Sequence, residues 1–295
     1  MRHLPRFVLL ALLTVYVVWG STYFAIRVGL ESFPPLLMIA LRFLVAGALL
    51  FGLMKWRGAP NPTLAQWRDG GIVGVLLLGG GTGFVAIAEQ TVASGLTAVF
   101  IAITPLLFAL WSGWFGHWPT RREWVGIGVG FAGVLLLASG AGLSGSPLGA
   151  LALMAAVTCW SFGSVLSQKK LKVAPGAIGF ASEMIVGGLF LVVVGLFKGE
   201  SLSAAMLAEA SWQAWLAWFY LVTIGSLVGF SAYMYTLARV SPALASSYAY
   251  VNPVIAVALG VLFGGEIVST REVLAMAVIL ASVMLLTMAP RKAAA

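Results

Sequence analysis

Ten stretches of about twenty mostly apolar residues, parted by short charged or Gly/Pro-rich breaks, fill nearly the whole chain. They run 7–26, 35–54, 71–91, 95–116, 124–140, 147–167, 177–197, 213–236, 242–263 and 271–289. A barrel strand would alternate polar and apolar residues, and these runs are too long and too continuous for that. Roughly 20 apolar residues in a helix cross the hydrocarbon core of a bilayer. Backbone inside lipid must satisfy its own hydrogen bonds, and a helix does so within one segment. The pattern predicts an all-α membrane protein, a bundle of ten transmembrane helices.

Composition agrees. Of 295 residues, 61% are hydrophobic and 9% charged, where a soluble domain carries about a quarter charged. This excludes a soluble enzyme, a disordered chain and a secreted disulfide scaffold, and leaves no room for a large extramembrane domain. The net charge of +8 would suggest nucleic acid in a soluble protein. Here the bases sit in short loops, so no nucleic-acid partner is expected. Thirteen of the 17 Lys and Arg fall on the side of the N-terminus, Arg27, Lys198 and Arg271 on the other, and Arg42 inside a span. That bias predicts a cytoplasmic location for both termini. Arg2 and Arg6 before an apolar run imitate a secretory signal, but bulky Trp19, Tyr23 and Phe24 stand where a cleavage site needs small residues. The run is read as an uncleaved first span. Trp212, Trp215, Trp218 and Tyr220 form an interfacial belt at the eighth span, after a stretch, 199–212, that suits a short surface helix. One cysteine, Cys159, and two histidines, His3 and His117, offer neither a disulfide nor a metal cluster; no cofactor is expected.

The chain contains itself twice. A Gly/Ser segment, Ser139–Pro147, divides it into units 1–140 and 141–295 with five spans each. An offset of 141 brings Trp19 onto Trp160, Pro34 onto Pro175, Arg42 onto Glu183 and Gly47 onto Gly188; an offset of 148 brings Pro105 onto Pro253. Five is odd, so the second unit enters the membrane from the opposite face. Inverted-topology repeats of this kind are a device of secondary transporters.

Trp19-Gly20-Ser21-Thr22, Pro35 through Arg42-Phe43, and Pro105-Leu106, with Pro253 and Gly264-Gly265-Glu266 in the later part, resemble the EamA-type drug/metabolite transporter pattern over nearly the whole chain. The resemblance implies ten helices, cytoplasmic termini, and small-molecule transport, mostly export, as in bacterial inner-membrane metabolite exporters. Gly116-His117 departs from the Gly-Glu that the first unit of this family often has.

Transporter sites tend to lie near the midplane, at interrupted helices between repeats. Candidate substrate-binding residues are Trp19, Tyr23, Gly81, Thr104, Trp160, Tyr233, Tyr248 and Asn252. Aromatic faces with a few polar groups suit a partly apolar or cationic small molecule. Gly79, Gly80, Gly81 and Gly83 lie deep in the third span, where they serve either a ligand's approach or helix packing. Pro105 and Pro253 are candidate hinges, each removing one backbone hydrogen bond and freeing the carbonyls of Ile101 and Ala249. A lone arginine as deep as Arg42 requires a partner or water. Two pairs are expected, Arg42–Glu89 and Glu183–Arg239, acting as gates or as braces; Glu89 and Glu183 are also the only acids placed for proton coupling. A GxxxG face at Gly126 and Gly130 fits internal packing or a homodimer, so monomer and homodimer both stay open. Partners are a small-molecule substrate and membrane lipid. Without HExxH, a Ser/His pair or a phosphate-binding loop, neither an enzyme nor an ATP-driven pump is expected. The reading is a secondary exporter, with a passive channel or facilitator as the alternative.

Overall fold

The computed structural model describes residues 5–92, 94–138, 146–264 and 269–287, and all regular structure among them is helical. In chain order the helices are α1 (Arg6–Gly29), α2 (Pro35–Trp56), α3 (Leu64–Ala88), α4 (Ser94–Ile101), α5 (Thr104–Trp114), α6 (Arg121–Ala138), α7 (Pro147–Lys169), α8 (Ala177–Phe197), α9 (Ala204–Glu209), α10 (Trp212–Leu237), α11 (Pro242–Ala245), α12 (Tyr248–Gly264) and α13 (Thr270–Thr287). Six of them, α1, α2, α3, α7, α8 and α10, have the length and apolarity to cross a membrane, and α13 carries a shorter apolar stretch, Val273–Leu286. The fourth run is built as two helices, α4 and α5, and the ninth as α11 and α12. The short helix expected in 199–212 is α9. The linker residues 139–145, the boundary at 140, Gly265-Glu266 and the basic tails lie outside the described residues.

Helix ends follow from local chemistry. Pro35 and Pro147 occupy first turns, where a missing N–H costs nothing. Thr63 and Gln66 close a capping box, so α3 starts at Leu64, seven residues before the apolar run, and takes Arg68 and Asp69 into the helix. Ser203 and Ser211 cap α9 and α10. Beyond α5, Gly116 adopts φ +81°, a left-handed conformation that favours glycine; its N–H returns to the Gly113 carbonyl.

Two long helices are locally widened. Val75–Thr82 in α3 and Leu221–Val228 in α10 are π-helical. In α3 the Gly83 N–H reaches the Leu78 carbonyl, five residues back; in α10 Ser226 Oγ donates to the Leu221 carbonyl at 2.9 Å, also five back. The two segments stand 146 positions apart, within the range of the sequence offsets. π-turns are rare and gather at functional sites.

Pro105 acts as expected on its backbone. α4 stops at Ile101, and the freed Ile101 carbonyl accepts a hydrogen bond from Thr104 Oγ1 at 2.5 Å. Pro253 behaves differently. It lies within α12, and the chain breaks ahead of it, at residues 246–247.

The helices gather into two compact units, each drawing on both halves of the sequence. One comprises residues 1–23, 93–145 and 232–295, where α6 packs on α13 and α4 on α12. Gly126 and Gly130 serve that packing: a Cβ on Gly126 would meet Leu286, and one on Gly130 would meet Tyr250 and Ser282. The GxxxG face is thus covered from within. The other unit comprises residues 24–92 and 146–231, with α2 and α3 both packed on α8 and α7 on α3. A side chain at Gly74 would collide with the Glu183 carbonyl, and one at Gly187 would come within 2.6 Å of the Gly74 carbonyl. Small residues let these backbones approach.

Candidate functional site

In the first unit α1 presents Tyr16, Trp19 and Tyr23 at helical spacing, three and then four residues apart, on one face. Gly20 allows that face to close on α12, because a Cβ there would stand 2.6 Å from Ile255. The rings of Trp19, Tyr233 and Tyr248 form a triad. Trp19 lies 4.7 Å from Tyr233 and 5.0 Å from Tyr248 between centroids, and Tyr233 lies 5.8 Å from Tyr248, two of the three pairs edge-on. Asn252, one turn beyond Tyr248, donates from Nδ2 to the Tyr23 hydroxyl at 3.2 Å. Its Oδ1 is buried without a hydrogen-bond partner among the described residues. The Tyr16 hydroxyl and Ser247 Oγ share a 2.6 Å hydrogen bond at the same helix contact. All these side chains are buried. The result is a buried box of touching rings with Tyr23 and Asn252 beside it and one unspent acceptor, chemistry suited to a ligand with an apolar or cationic body and a hydrogen-bond donor.

Five of the eight candidate binding residues, Trp19, Tyr23, Tyr233, Tyr248 and Asn252, therefore meet in one place. Tyr16 and Ser247 pair beside them, outside the ring cluster, and were missed. The signal for Tyr16 was present in its spacing from Trp19. Thr104 is buried in the same unit, but its hydroxyl serves the Ile101 carbonyl.

Gly81 and Trp160 belong to the other unit and meet each other. A Cβ on Gly81 would lie 2.7 Å from the Trp160 ring. Gly79 is matched in the same way by Phe190, Gly80 by Cys159 and Gly83 by Leu191. These close approaches are helix packing within the unit. Trp160 continues to Phe230, 5.8 Å away, and Phe230 to Phe43, 5.7 Å away.

The expected Arg42–Glu89 pair is not formed among the described residues. Arg42, 2% exposed, donates from Nε to Ser226 Oγ at 2.8 Å and sets its guanidinium 5.0 Å from the Phe43 ring centre. Glu89 is fully buried, and neither carboxyl oxygen has a hydrogen-bond partner among the described residues. Arg27 approaches it, but at the backbone, where Nη1 donates to the Glu89 carbonyl at 2.6 Å. Counting residues along a helix gave Arg42 its depth and left its facing open; it faces the π-turn of α10. Glu183 faces α3 at Gly70 and Gly74, and its Oε1 is likewise without a partner. Arg239 is half-free at a helix end, bonded to the Tyr235 carbonyl at 3.1 Å and stacked 3.8 Å from the Tyr235 ring centre. The ion pair that does form, Arg68–Asp69 at 2.8 Å, involves residues taken for a loop.

The model of the EamA-like transporter family matches this chain twice, over residues 6–139 and 147–288. The uncharacterized inner membrane transporter YedA of Escherichia coli K12 is 44% identical over 279 residues, covering 94% of this chain and 90% of that one. A chloroplastic WAT1-related protein of Arabidopsis thaliana is 25% identical, over 93% of this chain and 68% of its own length. A solved crystal structure with 22% identity shares the fold at a TM-score of 0.76, over 95% of this chain and 97% of the other.

Proposed function

Because this chain belongs to the EamA-like transporter family, we propose that it is a secondary transporter exporting a small metabolite or drug across the bacterial inner membrane by alternating access. The observation that carries the reading is the buried aromatic box of Trp19, Tyr233 and Tyr248, with Tyr23 and the open Asn252 acceptor beneath it. A chain used only as a scaffold gains nothing from an unsatisfied amide oxygen at that depth, which costs free energy to bury. The box is the substrate's binding surface. Ten spans in two inverted five-helix repeats supply its movement, and both termini face the cytoplasm. The double family match supports the repeat, since two copies with an odd number of spans necessarily oppose each other. The π-turns of α3 and α10 and the break before Thr104 are where helices bend most easily between states.

The test is counterflow in liposomes holding the purified protein, screened with amino acids, polyamines, purines and cationic dyes, with and without a pH gradient. Saturable counterflow of one class, lost in Trp19→Ala and Asn252→Ala, is expected. Non-saturating flux without counterflow sinks alternating access in favour of a passive facilitator. Tags on the two termini found on opposite faces of the membrane sink the ten-span arrangement.

A further inference from the structure

The first half of α3 carries a feature that transport leaves unused. A groove of about 470 Å³ runs along it, bounded by Trp67, Arg68, Gly71, Ile72 and Leu76 of that helix and by Val186 of α8. Its wall is hydrocarbon except at one end. Gly71 helps to open it, for a Cβ there would press to 3.1 Å from Val186. Ile72 forms an outward wall and is 39% exposed. From Trp67 to Leu76 the groove extends about 13 Å at 1.5 Å per residue. That is close to the half-thickness of a ~30 Å hydrocarbon core, the depth of a single leaflet.

The end of the groove is basic. The Arg68 side chain is 72% exposed. Its Nε and Nη2 bind Asp69 Oδ1 at 2.9 and 2.8 Å, which leaves the outer edge of the guanidinium open. Asp69 Oδ2 accepts the Lys172 N–H at 2.9 Å. That bond ties the connector after α7, which carries Lys170 and Lys172, to the same end of α3. Arg68 and the exposed Lys172 share Asp69 here, which leaves one positive charge over that carboxylate. Trp67 beside them is the residue type that seats at a bilayer's polar boundary.

We infer that this groove is a binding site for an anionic phospholipid, its acyl chain lying along Gly71, Ile72 and Leu76 and its phosphate at Arg68 and Lys172. A hydrocarbon slot one leaflet deep, capped by a surplus of positive charge at headgroup level, fits a charged lipid better than a zwitterionic one. Asp69 is the positioning residue, holding Arg68 and the lysine connector together.

The inference stands apart from the transported substrate, and native mass spectrometry of the detergent-solubilised full chain tests it without any transport measurement. Phosphatidylglycerol and phosphatidylcholine with identical acyl chains are titrated separately. The wild-type chain is expected to bind its first phosphatidylglycerol at least fivefold more tightly, the scale of one basic group near a bilayer surface. Arg68→Gln should lose most of that preference. Ile72→Trp, at an exposed position that folding tolerates, should weaken both lipids together by closing the slot. Millimolar inorganic phosphate should displace nothing. Equal affinities in the wild-type chain overturn the site without recourse to any variant. So does an Arg68→Gln chain with its preference intact, an Ile72→Trp chain with unchanged binding, or displacement by phosphate alone.

Discussion

The two compact units handle buried polarity in opposite ways. In the first, Tyr16 meets Ser247, Asn252 meets Tyr23, and Tyr250 donates to the Ile127 carbonyl at 3.0 Å; these neutral groups are paired, while Asn252 Oδ1, Thr97 Oγ1 and Ser112 Oγ are exceptions. In the second, the deep polar groups are charged and largely uncompensated. Arg42 has one hydroxyl partner, and Glu89 and Glu183 have unserved oxygens. Neutral pairs contribute about 1 kcal/mol each, so the first unit's paired contacts read as architecture, with the Asn252 acceptor open beside the rings. A lone arginine at mid-membrane costs about 2.5–3.5 kcal/mol on insertion scales. A charge kept at that cost, without an acidic partner, is the sharpest place to separate the two roles, gate and brace. The following experiments set the two units against each other.

The largest effect belongs to packing in the charged unit. Gly74→Leu drives a side chain into the backbone of α8 at Glu183, where no rotamer relieves it. Overpacking typically costs about 1–3 kcal/mol, and more against backbone, so little folded protein is expected by size-exclusion chromatography. Gly52→Leu, at a position with nothing within 4 Å, should elute as wild type. Equal behaviour of the two variants breaks the assigned contact between α3 and α8.

Next comes Arg42. If its charge serves transport and not stability, Arg42→Met should melt no lower than wild type in detergent, since the variant escapes the cost of about 2.5–3.5 kcal/mol that a lone buried arginine carries. Counterflow of the solute identified for the wild type should fall at least tenfold. A lower melting temperature with transport preserved makes Arg42 a brace and erases the contrast between the units.

The acids and the asparagine give a sharper, smaller comparison. Glu89→Gln keeps the shape of a side chain whose oxygens have no hydrogen bond to lose, so its cost should be under about 1 kcal/mol. Asn252→Ala loses a real bond to Tyr23 and opens a gap, and should cost about 1–2 kcal/mol. Thermal melts of both variants, read side by side, check the order; a reversed order removes the distinction between paired and unpaired groups.

These contrasts show where sequence was sufficient. Apolar length and the breaks between runs give each helix its place, because hydrophobic transfer and backbone hydrogen bonding act along the chain. The box was legible for the same reason: Trp19 and Tyr23 share a helical face, as do Tyr248 and Asn252, so two short strings of residues already name most of it. Partner choice across helices was not legible. Arg42 has the right depth for Glu89 and faces Ser226, because depth comes from residue count while facing comes from how helices pack. The π-turns were hidden too, since a one-residue change in winding leaves no apolar signature; the glycines at 79–81 were its trace. Asp69 escaped notice because the Thr63–Gln66 capping box begins α3 ahead of its hydrophobic run.

The smallest effect concerns Tyr16 and Ser247, a pair outside the proposed ring box yet on the same helix contact. Their 2.6 Å hydrogen bond joins two neutral groups, and Ser247 Oγ also donates to the Leu244 carbonyl at 2.7 Å. Tyr16 is therefore the donor to Ser247, whose own proton is spent on its helix. Tyr16→Phe deletes the donor and leaves the ring; Ser247→Ala deletes the acceptor and leaves the backbone. Each should lower stability by about 0.5–1.5 kcal/mol, and the double variant should cost less than both together, with a coupling energy of about 0.5–1 kcal/mol. Melting in detergent reads all three variants, and counterflow in liposomes should stay within twofold of wild type throughout, because neither group belongs to the box. Additive costs mean the two groups do not interact in the membrane. A large transport loss in Tyr16→Phe with stability unchanged extends the binding surface one turn along α1, and the first unit's paired polar groups then share the work assigned to the open Asn252 acceptor.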